Sequence, residues 1–326
     1  MSQIDYAQDV CDGTVSAIRT ALTQVKSNLK HDLRTALETV YSEQRKKPAL
    51  RVDLDSEDQF KQGLRKHFSN IEVFGEETLT PSDRFEDHDG TVCIVDPIDG
   101  TDLLERNLSN WCIAAVVIRP KNPQGQRILA ASVGFPSGRI YYAREGLNGV
   151  EYKTPKPDGL GFTTMKTTGP SSITKLVNAS ICFYGQKIAL LQSVMQLPLI
   201  QHLVEQSDKK SKKTAKNLRI YTLAGIPMMV RLIDHEIKSA ANIDVVFDSE
   251  GQKPYDAVPG LYLALKGGAK AINLDTSKQI TPLDLERAIL YPAGGKIRYV
   301  VAATMRLCDE IAPLLKQKAR PALVGS

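Results

Sequence analysis

Asp96 and Asp99 stand three residues apart in "VDPIDGTDLLERN", directly after the apolar run 92–95. A carboxylate at the end of a buried strand is costly unless it gains a partner. Two of them in one turn repel each other unless a cation lies between. The local sequence supplies none, since no Lys or Arg occurs between Asp96 and Arg106. The donors are oxygen only, without His or Cys, which favours a hard divalent ion and Mg²⁺ first. Gly100 allows a backbone turn that other residues resist, and it leaves room for a ligand beside the main chain. A short helix starting at Thr101 and Asp102 would point its free N–H groups outward as an anion site. Metal plus amide cradle suggests phosphate.

Further carboxylates strengthen that reading. "VFGEET", residues 73–78, has the same form, an apolar run, a glycine and then Glu76 and Glu77. "KPYDAVPG", residues 253–260, puts Asp256 at the start of an apolar helix. Each stretch also has a plain structural reading. "DPIDG" alone is a good Asx-type turn, Glu76 and Glu77 are then loop acids, and Asp256 is a helix N-terminal acid.

The elements that must carry these residues are legible in outline. Residues 1–46 read as helix, with Val15, Ile18, Leu22, Val25, Leu29, Leu33, Leu37 and Val40 at steps of three and four. Pro48 breaks it, and residues 50–53 read as extended. Ser56 and Gln59 have capping-box spacing and open a second helix lined by Phe60, Leu64 and Phe68. Residues 92–95, 111–118, 128–135, 139–144 and 150–153 are short strands separated by turn signals such as Pro136-Ser137-Gly138. They predict an antiparallel sheet with helices packed on one side. From about residue 178 the pattern alternates. Strands are expected at 179–183, 218–223, 243–247, 271–274 and 298–303. Helices are expected at 188–206, 227–237, 257–266 (closed by Gly267-Gly268) and from Thr304 to about 318. The Pro-, Gly- and Thr-rich stretch 154–172 marks a boundary. It predicts an N-terminal α+β domain, 1–172, with the metal and phosphate site, and a C-terminal α/β domain, 173–326, that supplies Asp256 and the leaving-group side. No internal repeat is present.

Composition excludes several classes. The chain has 326 residues, 42% hydrophobic and 24% charged, long for one core and comfortable for two. No apolar run reaches the ~18 residues that a membrane helix needs. The N-terminus lacks a basic region followed by an apolar one, so no secretory signal is expected. Five cysteines without a CxxC predict reduced thiols and a cytoplasmic location. Histidines lack the spacing of a zinc site. The net charge of +5 is concentrated in "SDKKSKKTAKNLR", residues 207–219. Without interleaved aromatics to stack on bases, that run reads as a solvated loop, and no nucleic-acid or membrane partner is expected.

Taken together, "GEE", "DPIDGT" and an aromatic-Asp dipeptide before a helix resemble the inositol monophosphatase family. It belongs to the Mg²⁺-dependent, lithium-sensitive phosphatases that include fructose-1,6-bisphosphatase and bisphosphate nucleotidase. The three motifs occur in family order, and the resemblance covers residues 30–318. It implies an α+β and α/β fold, a layered αβαβα sandwich. It also implies hydrolysis of a phosphate monoester, an inositol monophosphate or related sugar phosphate before a 3′,5′-bisphosphonucleotide or fructose-1,6-bisphosphate. A non-catalytic metal-binding or scaffold protein of the same fold is the reading of another class.

Carried over by residue, the resemblance assigns one Mg²⁺ to Glu76, Asp96 and the carbonyl of Ile98. A second falls to Asp96, Asp99 and Asp256, and a weaker third lies near Glu76. Thr101 and an upstream aspartate would activate the water. Asp53 fits that role, with Asp55 as a rival. Phosphate would sit on the amides of Gly100 and Thr101. The partner is then a small phosphorylated substrate, and a homodimer is compatible with the family. The match departs on the leaving-group side. Where inositol-type members have a glutamate seven residues before the final aspartate, this chain has Ser249, with Glu250 one place later. "RIYTLAGIPMM", residues 219–229, lacks the Gly-Ser or Gly-Thr pair. Tyr255 replaces the usual tryptophan, and Val258-Pro259-Gly260 replaces small residues, with the proline expected in a first helical turn.

Overall fold

A computed structural model of the chain describes residues 2–42, 47–80, 82–122, 126–158, 160–184, 188–209, 219–223, 225–234 and 243–316. Helix α1 (Gln3–His31) opens with a reciprocal capping box between Ser2 and Asp5. It buries Val10, Ile18, Leu22 and Val25. It ends at His31, short of the helix expected to run to residue 46. Asp32 ends α1 and accepts from the Thr35 N–H to start a four-residue helix, α2 (Leu33–Ala36). Strands β1 (Thr39–Ser42) and β2 (Lys47–Leu50) then pair as a hairpin. A local side-chain bond to the backbone has overridden a continuing apolar stripe, whose Leu33 is left exposed.

Of residues 50–53, expected to be extended, only Leu50 is, as the end of β2. Helix α3 (Arg51–Arg65) begins at Arg51, and Asp53, its third residue, accepts a backbone hydrogen bond from Leu50. Ser56 therefore lies in the second turn, and its hydroxyl donates to the Pro97 carbonyl instead of capping.

The first sheet has seven strands in sequential order, β3 (Ile71–Gly75), β4 (Thr91–Asp99), β5 (Cys112–Ile118), β6 (Ile128–Gly134), β7 (Ile140–Arg144), β8 (Glu151–Pro155) and β9 (Phe162–Lys166). It is antiparallel except at its edge, where β3 pairs parallel with β4. Strand β9 falls inside the stretch expected to be a boundary. The second sheet follows the order β11-β10-β12-β14-β13. Its strands are β10 (Ser180–Phe183), β11 (Arg219–Tyr221), β12 (Val245–Gln252), β13 (Lys270–Asn273) and β14 (Ile297–Ala302), with β11, β10 and β12 mutually parallel.

Helices of the second half are α5 (Ile188–Met195), α6 (Pro198–Lys209), α7 (Ile226–Arg231), α8 (Pro254–Lys266), α9 (Pro282–Ile289) and α10 (Met305–Lys316). The expected helix 188–206 is split at Pro198, which becomes the first residue of α6. Helix α8 starts three residues earlier than expected, so Pro259 is its sixth residue and not in its first turn. Helix α9, absent from the expected elements, has a sequence signature in the Thr281/Asp284 capping box. Of the expected helix 227–237, residues 235–237 lie outside the described residues, as does most of the lysine-rich run.

Three apolar cores hold five layers together, the middle one enclosing the central helices. In β4, Cys93 and Val95 pack with α1 and α3. Val92 and Ile94 face the other way, into a core shared with α7, α8, α9 and the residues Val246, Tyr299 and Val301 of the second sheet. The far face of that sheet, with Val245, Phe247 and Val300, packs against Leu199, Leu203, Leu307 and Ile311 of α6 and α10. The result is an αβαβα sandwich. The first sheet is covered on both faces, which corrects the one-sided expectation, since strands apolar on both faces require cover on both. All five cysteines are buried and free. Among the described residues no helix is long and apolar enough to cross a membrane.

Candidate metal and phosphate site

The end of β4 explains why two aspartates three apart can serve one site. Successive strand residues alternate faces, so positions 96 and 99 of a regular strand point apart. Here the register against β5 shifts, with Asp96 opposite Ala114 and Asp99 opposite Cys112. One extra residue is accommodated as a bulge around Pro97, which turns both carboxylates to the same side. That side is the one on which Val92 and Ile94 meet α8, whose first turn carries Asp256.

Glu76 arrives from the turn after β3, where its N–H donates to the Val95 carbonyl at 2.8 Å. One carboxylate oxygen each from Glu76, Asp96 and Asp256 lies within 4.8 Å of the others. Asp96 is buried, and its Oδ1 accepts from the Ile98 N–H at 3.1 Å. Asp99 stands beside this trio with Oδ2 turned to the Ile226 N–H, 2.7 Å away. Gly100 has φ +95° and caps α4 (Thr101–Glu105). Its main chain lies so close to Asn110 and Trp111 that a Cβ would meet both at 3.2–3.3 Å.

Thr101 Oγ lies 2.9 Å from the Ile98 carbonyl and 3.4 Å from Asp53 Oδ1. Its single hydrogen goes to one of them at a time, and the shorter contact favours Ile98. Asp55 faces another way, accepting from Asn28 Nδ2 at 3.1 Å. Glu250 is exposed, with its carboxylate held by Ser193 Oγ at 3.0 Å. The fold thus gathers Asp53, Glu76, Asp96, Ile98, Asp99, Gly100, Thr101 and Asp256 into one group and commits Glu250 to a surface contact. The nearby Asp248 uses its carboxylate to accept from the N–H groups of Glu250 and Gly251, closing the turn between them.

Burial and mutual repulsion set the electrostatics. Desolvation pushes Asp53 well above the ordinary carboxylate range, and the charges of Glu77 and Glu76 push it further. Desolvation raises Asp96 likewise, with Glu76, Asp99, Asp256 and Asp53 adding to it. Asp99 is raised to about 7 by desolvation, against the lowering effect of the Ile226 N–H. A site that makes several carboxylates hold protons more tightly stands to gain from a multivalent cation in their place. The donor set, carboxylates and a carbonyl, suits a hard ion.

Two residues near the site carry no expectation from the sequence. Tyr184 follows β10, which runs parallel to β12 with Phe183 opposite Phe247, so it stands level with Asp248 at the carboxyl end of the parallel strands. Burial raises its phenol to about 12, with Asp102, Asp99, Asp248 and Asp256 contributing, so it remains a neutral donor. No local signal marks it. Glu57 is also buried, behind the Glu76 turn. Its spacing of four from Asp53 on one helix was a usable signal.

A five-layer sandwich with an oxygen-donor trio at the junction of its two sheets defines a fold class of metal-dependent phosphatases. A model of the inositol monophosphatase family matches residues 7–181, more than half of the chain, and the chain belongs to that family. Solved structures agree along nearly the whole length. The extragenic suppressor protein SuhB of Bartonella henselae superposes with a TM-score of 0.63 at 13% identity, covering 94% of this chain and 98% of its own. An IMPase of Thermotoga maritima gives 0.60 at 15% identity, covering 93% and 95%. A calcium-bound IMPase-family protein of Staphylococcus aureus gives 0.56 at 19% identity, covering 93% and 94%. At these identities the likeness establishes the fold. No match is found among curated protein sequences.

Proposed function

We propose that this chain hydrolyses a phosphate monoester in a Mg²⁺-dependent reaction, with an inositol monophosphate or a related sugar phosphate as substrate. The observation that carries the reading is the convergence of the trio Glu76, Asp96 and Asp256, from three separate elements, beside the Thr101–Asp53 pair. Glu76, Asp96 and the Ile98 carbonyl would hold one ion, and Asp96, Asp99 and Asp256 a second, with a weaker third at Glu76. Bound there, the ions supply Lewis-acid activation of the attacking water and the leaving oxygen.

The rest falls to the chain itself. The attacking water gives a proton to Thr101 Oγ as the hydroxyl passes its own to Asp53. A new bond forms between water oxygen and phosphorus, the bond to the ester oxygen breaks, and the departing alkoxide takes a proton from solvent, to which Asp53 returns the one it received. Burial makes Asp53 a stronger base than an exposed aspartate and so a better acceptor. The bond to the Ile98 carbonyl fixes the Thr101 rotamer between turns. The backbone N–H groups of Gly100 and Thr101 would receive phosphate oxygens at the left-handed cap of α4.

Two observations favour a second reading, a non-catalytic metal-binding protein. Asp99, an expected metal ligand, is engaged by Ile226, and Glu250, the acid next to the position where inositol-type members contact substrate, is engaged by Ser193. Phosphate release across inositol phosphates, sugar phosphates, 3′,5′-bisphosphonucleotides and fructose-1,6-bisphosphate, with Mg²⁺ and with EDTA, separates the readings. Mg²⁺-dependent release is expected, greatest on an inositol or sugar monophosphate. A preference for bisphosphates would overturn the substrate assignment, and no release from any would overturn catalysis.

A further inference from the structure

Glu57 is 2% exposed on its side chain and is bonded entirely within the protein. Its Oε2 accepts from the Glu77 N–H at 3.1 Å, and its Oε1 from the Thr78 hydroxyl at 2.9 Å. Lys61, one turn further along α3, lies 2.5 Å from Oε1. The Thr78 hydroxyl in turn accepts from the Gly75 N–H at 3.1 Å. A Cβ at Gly75 would fall 1.8 Å from the Glu57 carboxylate, so the glycine is what lets the two approach.

We infer that Glu57 is the positioning residue for Glu76, clamping the turn 75–78 from behind so that the Glu76 carboxylate reaches Asp96 and Asp256. The turn is held on both sides of Glu76, at Gly75 through Thr78 and at Glu77 directly, while Glu76 itself is tied by its N–H to Val95. Asp53 sits one helical turn before Glu57 on the same helix. Helix α3 therefore sets two things at once, the approach of Asp53 to Thr101 and the place of Glu76. Lys61 balances the buried charge of the clamp without entering the trio. This inference rests on the trio being a metal site, as proposed above.

The test uses the full chain and Mn²⁺ alone as probe, with binding read by electron paramagnetic resonance and thermal melts recorded in EDTA. Glu57→Gln keeps the shape but supplies only one acceptor oxygen. It is expected to weaken the tightest Mn²⁺ site about 10–100-fold, the usual effect of losing an outer partner of a ligand. The Mg²⁺ concentration for half-maximal phosphate release should rise by a similar factor, with kcat at saturating Mg²⁺ largely recovered. Gly75→Ala should weaken binding in the same way, by pushing on the clamp from the other side. In Glu57→Ala/Gly75→Ala the collision is gone, so the double variant should bind no worse than Glu57→Ala alone. Asp58→Asn, on the exposed face of α3, is the control and should match the parent.

A Glu57→Gln protein that melts lower but binds Mn²⁺ like the parent would overturn the inference, since Glu57 would then serve stability only. So would simple additivity of the Glu57→Ala and Gly75→Ala effects on affinity. Failure of the parent itself to bind Mn²⁺ would instead overturn the proposed function, and this assignment with it.

Discussion

Asp99 Oδ2 accepts a hydrogen bond of 2.7 Å from the backbone N–H of Ile226, 127 positions further along the chain. The contact ties the end of β4 to the first residue of α7. It is made possible by Gly225, which has φ +95° and ψ −171° and would bring a Cβ to 2.7 Å from the same carboxylate oxygen. The segment that lacks the expected Gly-Ser or Gly-Thr pair therefore still meets the acidic turn, through the Ile226 backbone N–H.

Gly225→Ala should lose stability and function together. Its backbone region is almost exclusive to glycine, and strain of that kind costs about 1–3 kcal/mol. The new methyl would also displace Asp99. Urea unfolding should show a lowered midpoint, and Mg²⁺-dependent phosphate release should fall. A variant with parental midpoint and rate would mean that this contact does not hold the two segments together.

Thr101→Ala and Asp53→Asn should each lower kcat by about 10²-fold or more, the range for a lost acid–base partner. Mn²⁺ binding should survive in Thr101→Ala, because the hydroxyl is outside the carboxylate trio. Asp55→Asn should stay near the parent rate, since Asp55 is bonded to Asn28. Steady-state kinetics of the three variants decides the matter, and a severe Asp55→Asn with a mild Asp53→Asn would reverse the assignment.

The metal-free protein should become less stable as pH rises from about 4 to about 7. Asp53, Asp96 and Asp99 hold protons more tightly folded than unfolded, Asp99 up to about 7. Between the ordinary carboxylate value near ~4 and the raised ones, the native state binds more protons. Stability from these groups therefore falls as pH rises above the ordinary carboxylate value, and the Asp99 contribution is spent above about 7. Melts in EDTA between pH 5 and 8 should show the fall, and Mg²⁺ should reduce it. Asp96→Asn should flatten the fall in melting temperature with pH in EDTA, since it removes one of the raised carboxyls. The same change should abolish stabilisation by Mg²⁺ and turnover. Near-normal turnover in Asp96→Asn would rule out a shared bridging ligand.

Li⁺ should inhibit. A small monovalent cation at the Asp99 and Asp256 side carries too little charge to polarise a leaving oxygen, and inhibition should be uncompetitive or mixed with respect to substrate. Assays at rising LiCl, with NaCl holding ionic strength constant, measure it. Unchanged rates would point to an altered second site, with Pro259 in the second turn of α8 as the first suspect.

The acids of the site were readable because each announces itself locally. Asp96, Asp99, Glu76 and Asp256 all stand where an apolar run meets a turn or a helix start, and such a placement is hard to explain without a ligand. The strands 92–95, 128–135 and 139–144 were readable for a similar reason, since apolar runs bounded by turn residues need only neighbours in sequence to be recognised. Element ends were harder. The bond from Asp32 to Thr35 cut a stripe that otherwise ran on, and Pro198 divided one expected helix into two.

The choice between Asp53 and Asp55 lay beyond any local pattern. Read as extended chain, residues two apart share a face and both could reach Thr101. In α3 the same two residues are about 200° apart around the axis, so only one can face Thr101. Packing of α3 against α1 and β4 gives that side to Asp53 and turns Asp55 toward Asn28. Glu57 is a second case. Its spacing placed it on the face of Asp53, but its function depends on a turn 20 residues away, brought within 3.1 Å by the parallel pairing of β3 with β4. Which carboxylates exist is a matter of sequence; which of them meet depends on the bulge at Pro97, the start of α3 and the position of α8 between two sheets. These are set by burial and hydrogen bonding among segments far apart in the chain.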